Sequence, residues 1–176
     1  PERFREVAAL LSSSGLRWSR RSEAARAEDQ TSDVILLDSI GELRATYPLA
    51  RLVFVGGSIA QTGGHNVLEP AACGACIITG AHTTNFTAII NAFLERDALV
   101  QLPPLSEEEA PAELSRIFSE LLSDEARRLR LTTRAKQVLD ENRGATRYTA
   151  DRIVELLKSV DSLGARRETK AELPQA

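Results

Sequence analysis

Leu52-Val53-Phe54-Val55-Gly56-Gly57-Ser58, running on through Ile59-Ala60-Gln61-Thr62-Gly63-Gly64-His65-Asn66-Val67-Leu68-Glu69-Pro70, decides how the rest of the chain is read. The first four residues offer no polar face, which marks a strand covered on both sides and therefore a parallel sheet. Gly56 and Gly57 end that strand, and Asn66 stands where a helix is to be capped. Strand, glycine-rich turn and helix, in that order, form the repeating unit of an α/β fold.

The same rhythm extends in both directions. Val34-Ile35-Leu36-Leu37 runs into Asp38-Ser39, Cys76-Ile77-Ile78-Thr79 stops at Gly80, and a weaker run, Ala98-Leu99-Val100-Gln101, closes at Pro103-Pro104. Helix-like stretches lie between them at 41–47, 66–73 and 85–96. The alternation predicts an α/β fold: a Rossmann-like, doubly wound parallel sheet with flanking helices. Ahead of it, Phe4, Val7, Ala8, Leu10 and Leu11 recur at helical spacing and Gly15 supplies the stop. Leu16 and Trp18 alternate with polar neighbours like a short strand, and 20–31 is polar enough to predict an exposed, mobile loop. Three helices are expected over 107–122, 124–141 and 146–160. The polar residues 161–176 are expected to fray, so the organisation is one domain over 1–160 and a mobile tail over 161–176.

Composition bounds the function. The chain has 176 residues, 43% apolar, enough for one ordinary core. A net charge of −3 disfavours a general nucleic-acid binder. No apolar run approaches the roughly 18 to 20 residues that cross a bilayer, and no basic-then-apolar leader opens the sequence. Two cysteines exclude a disulfide scaffold and suggest a reducing compartment. Because it opens at Pro1 directly into helix-like sequence, the chain is expected to be a piece of something longer.

Parallel sheets bind ligands outside the carboxyl ends of their strands, so three strand-to-helix segments hold the chemistry. In Asp38-Ser39-Ile40-Gly41-Glu42, the backbone N–H groups of Ile40, Gly41 and Glu42 would be unpaired in a first helical turn. Gly41 would let a ligand approach closely; a plain capping pair of Ser39 with Glu42 is the commoner reading of this segment alone. The second segment is the Gly56–Glu69 string, with four glycines in nine residues. It lacks both G-x-G-x-x-G and Gly-Lys-Ser/Thr, so neither a dinucleotide fingerprint nor a Walker loop is present. It still has bare backbone donors that suit an anion. Glu69, one turn into the helix, would repel phosphate and better accepts hydrogen bonds from paired sugar hydroxyls. A glycine-rich turn with Glu69 as a cap is the plain alternative. The third segment, Gly80-Ala81-His82-Thr83-Thr84-Asn85-Phe86, places His82 and Asn85 on the same cleft.

Cys73-Gly74-Ala75-Cys76 has thioredoxin-like spacing but the reverse order, since Cys73 ends a helix and Cys76 begins a strand. A zinc site would want a second ligand pair, and only His65 and His82 exist. The cysteines read as small buried apolar residues, and no metal site is expected.

The string Gly56 to Glu69, followed by Pro70-Ala71-Ala72-x-Gly74 and Gly80-x-His82-Thr83-x-Asn85-Phe86, resembles the 3-deoxy-D-manno-octulosonic acid (Kdo) transferases. The resemblance runs from Pro1-Glu2-Arg3-Phe4 to Glu141-Asn142-Arg143-Gly144-Ala145. It implies the C-terminal, donor-binding half of a GT-B glycosyltransferase that uses CMP-Kdo and inverts the anomeric centre without a bound metal or cofactor. It implies CMP contacts at Ile40, Gly41 and Glu42 through the backbone, and at Asn66, Val67, Leu68 and Glu69, with Glu69 on the ribose. Gly57, Ser58, Gly63, Gly64 and His65 would shape the wall around the donor, with His82 and Asn85 in support. Two departures stand out: Ala81 replaces a proline of the family, and the family's phosphate-binding Pro-Arg pair precedes Pro1. The catalytic carboxylate, the lipid A-binding half and the membrane anchor would lie in that missing part. No catalytic residue is therefore expected here, and the fragment alone is expected to be soluble and inactive. By the same resemblance the full protein works at the cytoplasmic face of the bacterial inner membrane. The alternatives are another GT-B enzyme using a UDP-sugar, or a non-catalytic nucleotide-binding module.

Overall fold

The computed structural model describes residues 3–24, 27–144 and 148–158. The tail expected at 161–176 lies outside the described residues. Helix α1 (Phe4–Ser13) leads to strand β1 (Trp18–Arg20) and then, past a 3-10 turn at Ala27–Thr31, to β2 (Val34–Leu36). A short α2 (Leu43–Thr46) passes into a 3-10 turn (Tyr47–Leu49) and β3 (Leu52–Val55). Then come α3 (Leu68–Ala72), β4 (Cys76–Thr79), a 3-10 turn (Thr84–Phe86), α4 (Thr87–Glu95) and β5 (Val100–Gln101). The helices α5 (Ala110–Ser123) and α6 (Glu125–Glu141) follow, and 148–158 form α7.

Every strand pair is parallel. Trp18 faces Val34 across β1–β2, Leu52 faces Cys76 across β3–β4, and Ile78 faces Val100 across β4–β5. The expected single sheet is present as two, β1-β2 and β3-β4-β5. Among the described residues β1 and β3 do not pair with each other, so each keeps an edge without a strand partner.

The core gathers on both faces of β4, all four of whose residues are buried. Ile77 packs with Val55, Val67, Ile90, Phe93 and Val138 on one side. Cys76 and Ile78 pack with Leu102, Ile117, Leu121 and Leu131 on the other. Alternate residues of one strand thus serve two helical layers, which is why the run is apolar throughout. The connecting helices are shorter than their sequence patterns suggest. Gly74 turns to φ +77 just past α3, and Pro48 falls in the 3-10 turn after α2.

Candidate functional site

The first arm of the site, Asp38 to Glu42, follows β2 and is tied to the turn after β1. Asp38 accepts from the Ser22 amide (2.9 Å) and the Ser22 hydroxyl (2.7 Å), with Arg20 at 4.0 Å. The Ser22 hydrogen bonds, helped by the Arg20 charge, hold its carboxyl below the usual aspartate range. Glu42 accepts from the Ser39 hydroxyl (2.6 Å) and from Arg21 Nη2 (3.1 Å). The capping box read into Ser39 and Glu42 is therefore replaced by a bond between their side chains, and no side chain caps α2. The helix starts at Leu43, one residue after the arm, and is only four residues long. Its dipole is correspondingly small, so the open N–H groups of this arm belong to its turn and not to a long helix start. Gly41 there adopts φ +90 with open space where a Cβ would be. Among the described residues nothing accepts from the backbone N–H of Ile40, Gly41 or Glu42. Ile40 is 83% exposed.

The second arm leaves β3 and is held from inside. Ser58, fully buried, donates to Val55 O (2.6 Å) and accepts from the Gly80 amide (2.8 Å). The Gly64 amide and the Thr62 hydroxyl both donate to Gly57 O at 2.8 Å. A Cβ on Gly63 would stand 2.4 Å from Asn85 Nδ2. Ser58, Gly63 and Gly64 are thus buried within the loop, where they shape it from inside. His65 is exposed, its ring beside Gly57. Asn66 Oδ1 accepts from the Leu68 amide (2.9 Å) and so opens α3. Val67 is fully buried in the core, which leaves only its backbone for a ligand. Leu68 is half-buried and Glu69 is exposed in the first turn of α3.

The third loop braces the second. The His82 amide donates to Ser58 O (2.8 Å), the Asn85 amide to Gly63 O (3.1 Å), and Asn85 Nδ2 to Thr62 O (3.3 Å). His82 is half-buried and Asn85 exposed.

Tyr47 lies between the first two arms in the chain, and sequence reasoning missed it. The 3-10 turn that begins with Tyr47 packs on α3. The phenol is pushed above its ordinary pKa by burial, and further by Glu69 and Cys73. A tyrosine directly before Pro48 is the one local signal that would have pointed to it. Arg21, beside Glu42, was likewise passed over because it sits in a polar stretch.

Neither cysteine forms a disulfide. Cys76 lies in the core, where burial pushes its thiol up to about 11. Cys73 is only half-buried, which corrects the expectation of two buried thiols. Among the described residues no three His, Cys, Asp or Glu side chains are grouped to hold a metal ion. No helix among them is long and apolar enough to cross a membrane.

No family model matches the chain. Individual relatives do. It is 39% identical over 158 residues to the 3-deoxy-D-manno-octulosonic acid transferase of Haemophilus influenzae, covering 90% of this chain and 35% of that protein. The transferase of the same name from Bordetella pertussis is 36% identical over 157 residues, covering 89% and 35% respectively. The chain therefore spans about a third of the length of these relatives. Among solved structures, the C-terminal CMP-Kdo binding domain of WaaA from Acinetobacter baumannii superposes with a TM-score of 0.70. That match has 31% identity and covers 79% of this chain and 69% of the other.

Proposed function

The chain belongs to the 3-deoxy-D-manno-octulosonic acid (Kdo) transferase family, and from that premise we propose that it is the part of such an enzyme that holds the donor CMP-Kdo. One observation carries the reading. Two loops each stand at the carboxyl end of a parallel strand: the first has backbone N–H donors at Ile40 to Glu42 that meet no acceptor among the described residues, and the second bears an exposed carboxylate, Glu69, in the first turn of α3. The donors at Ile40, Gly41 and Glu42 face the charge that develops on the leaving phosphate, where fixed dipoles stabilise it most. Glu69 accepts hydrogen bonds from the ribose hydroxyls, and Asn66 fixes the start of the helix that carries it. His82 and Asn85 act from behind, by bracing the glycine loop.

In the full protein, a hydroxyl of the lipid A precursor attacks the Kdo anomeric carbon while the bond to the CMP phosphate breaks, with inversion. The hydroxyl proton passes to a carboxylate outside this chain. The reading assigns no metal or cofactor to these residues. It places the complete enzyme at the inner membrane through its other part, and gives this piece alone no transferase activity.

Titration with CMP, followed by amide NMR, tests the assignment. The Gly41 and Asn66 amides are expected to shift together and saturate at one concentration, with UDP competing poorly. Unmoved amides at both positions defeat the proposal.

A further inference from the structure

Val55, Thr79 and Gln101 stand side by side at the carboxyl ends of β3, β4 and β5, since Val55 pairs with Thr79 and Thr79 with Gln101. Three hydrogen bonds run along that row. Gln101 Nε2 donates to Gly80 O (3.2 Å), the Gly80 amide donates to the Ser58 hydroxyl (2.8 Å), and that hydroxyl donates to Val55 O (2.6 Å). Ser58 and Gly80 are buried, and Gln101 is the half-buried outer end. Both polar groups of the Gly80 backbone are therefore held by side chains from outside its own loop. Thr79 differs: its hydroxyl is buried in the same row and has no partner among the described residues.

We propose that Gln101 is a positioning residue for donor binding: it fixes the Gly80–Ala81 peptide, and through it the loop that braces the second arm. The proposal rests on the donor-binding reading above and adds to it a residue outside the three loops. The peptide that Gln101 holds leads to the His82 amide, which donates to Ser58 O (2.8 Å), and on to the Asn85 amide, which donates to Gly63 O (3.1 Å). Ala81 adds no restraint of its own, because nothing accepts from its amide among the described residues. Without the Gln101 bond the carbonyl of a buried glycine loses its partner, which favours turning that peptide toward another donor or toward water. Such a turn displaces His82 and Asn85, and with them the glycine loop that leads into Asn66 and Glu69. Holding the loop in place beforehand lowers the cost of ordering it when the ligand arrives.

Calorimetric titration of this chain with CMP tests the proposal, beside urea denaturation and amide hydrogen exchange. Gln101→Met keeps the length of the side chain and removes its donor. It is expected to bind CMP about three- to tenfold more weakly and to exchange faster at the His82 and Asn85 amides. Thr79→Val removes a hydroxyl of the same row that makes no bond, and should bind CMP as the wild type does. Ala81→Pro restrains the same peptide covalently, and Gly80 needs no left-handed φ to precede it. The double variant Gln101→Met/Ala81→Pro should therefore regain most of the affinity that Gln101→Met loses. Unchanged CMP affinity in Gln101→Met overturns the proposal whatever its urea midpoint, since a residue that only stabilises the fold leaves binding alone. So does weakened binding with wild-type exchange at His82 and Asn85, an equal loss in Thr79→Val, or no regain in a double variant that folds. If the double variant does not fold, exchange in Gln101→Met decides alone. A wild type that does not bind CMP defeats the donor-binding reading and this proposal with it. That result is distinct from a wild type and a Gln101→Met variant that bind equally well, which defeats only the role of Gln101.

Discussion

The β3–β4–β5 half and the α1–β1–β2 half are built from the same parallel units, yet they are held by different forces. In the first, Ile77 and Ile78 are fully buried and the strand is packed on both faces. In the second, Ile35 at the centre of β2 is 60% exposed, and Ala8 is the one buried residue of α1. What holds the second half is polar: Arg17 with Asp33, Ser22 with Asp38, Arg21 with Glu42. Exposed ion pairs contribute little once water and salt screen them, against about 1.5–3 kcal/mol for a buried apolar side chain. The candidate site draws one arm from each half. The glycine loop and Glu69 hang on the rigid half, and Ile40 to Glu42 hang on the soft one, where local opening costs least.

The largest effect that would break this comparison is a matched pair of truncations. Phe93→Ala removes a ring that is 1% exposed and should cost about 3–5 kcal/mol in urea denaturation. Ile35→Ala should change stability by only about 0.5 kcal/mol, as surface substitutions do. Equal costs would mean that the two halves share one core after all.

A smaller effect sharpens the contrast at the two arms. A Cβ on Gly80 would stand 2.3 Å from the carbonyl oxygen of Ser58, a backbone atom with no room to move. Gly80→Ala is expected to cost about 1–3 kcal/mol and to shift amides throughout 57–66 in NMR spectra. Gly41→Ala meets no neighbour and carries only the strain of φ +90, about 1 kcal/mol. Its shifts should stay within a few residues of the first arm. Spread of the Gly41→Ala shifts into 57–66 would show that the two arms are coupled.

Legibility in the sequence follows the same division. Leu52–Val55 and Cys76–Thr79 have the bounds that their apolar runs indicate, because helices of this chain cover both faces of each. The split of the sheet was not legible, since which strands pair is decided between segments distant in the chain and not by any local pattern. The site divides likewise. Four glycines in one loop announce close backbone packing, and Gly63 and Gly80 deliver it. Nothing local announces that Ser58 and Val67 turn fully inward, or that the turn starting at Tyr47 packs on α3. Those roles are set by elements distant in the chain. Arg21 was hidden for a related reason: a charge run reads as solvated surface until a partner such as Glu42 is placed beside it.

The smallest predicted effect is a pH response confined to the soft half. The Ser22 hydrogen bonds hold the Asp38 carboxyl below its ordinary pKa. A group whose folded pKa is depressed stabilises the fold fully above its unfolded pKa, and that contribution is lost as pH falls through the folded value. Acidification below about pH 4 should therefore release Ser22 and loosen the turn after β1. It should move the Ser22 and Arg21 amides in NMR spectra while those of Ile77 and Ile78 stay in place. In Asp38→Asn the acid-dependent movement at Ser22 should vanish. If the Ile77 and Ile78 amides move in step with Ser22, the two halves open as one unit. The first arm would then be as firmly set as the second, and the contrast between them would be one of composition alone.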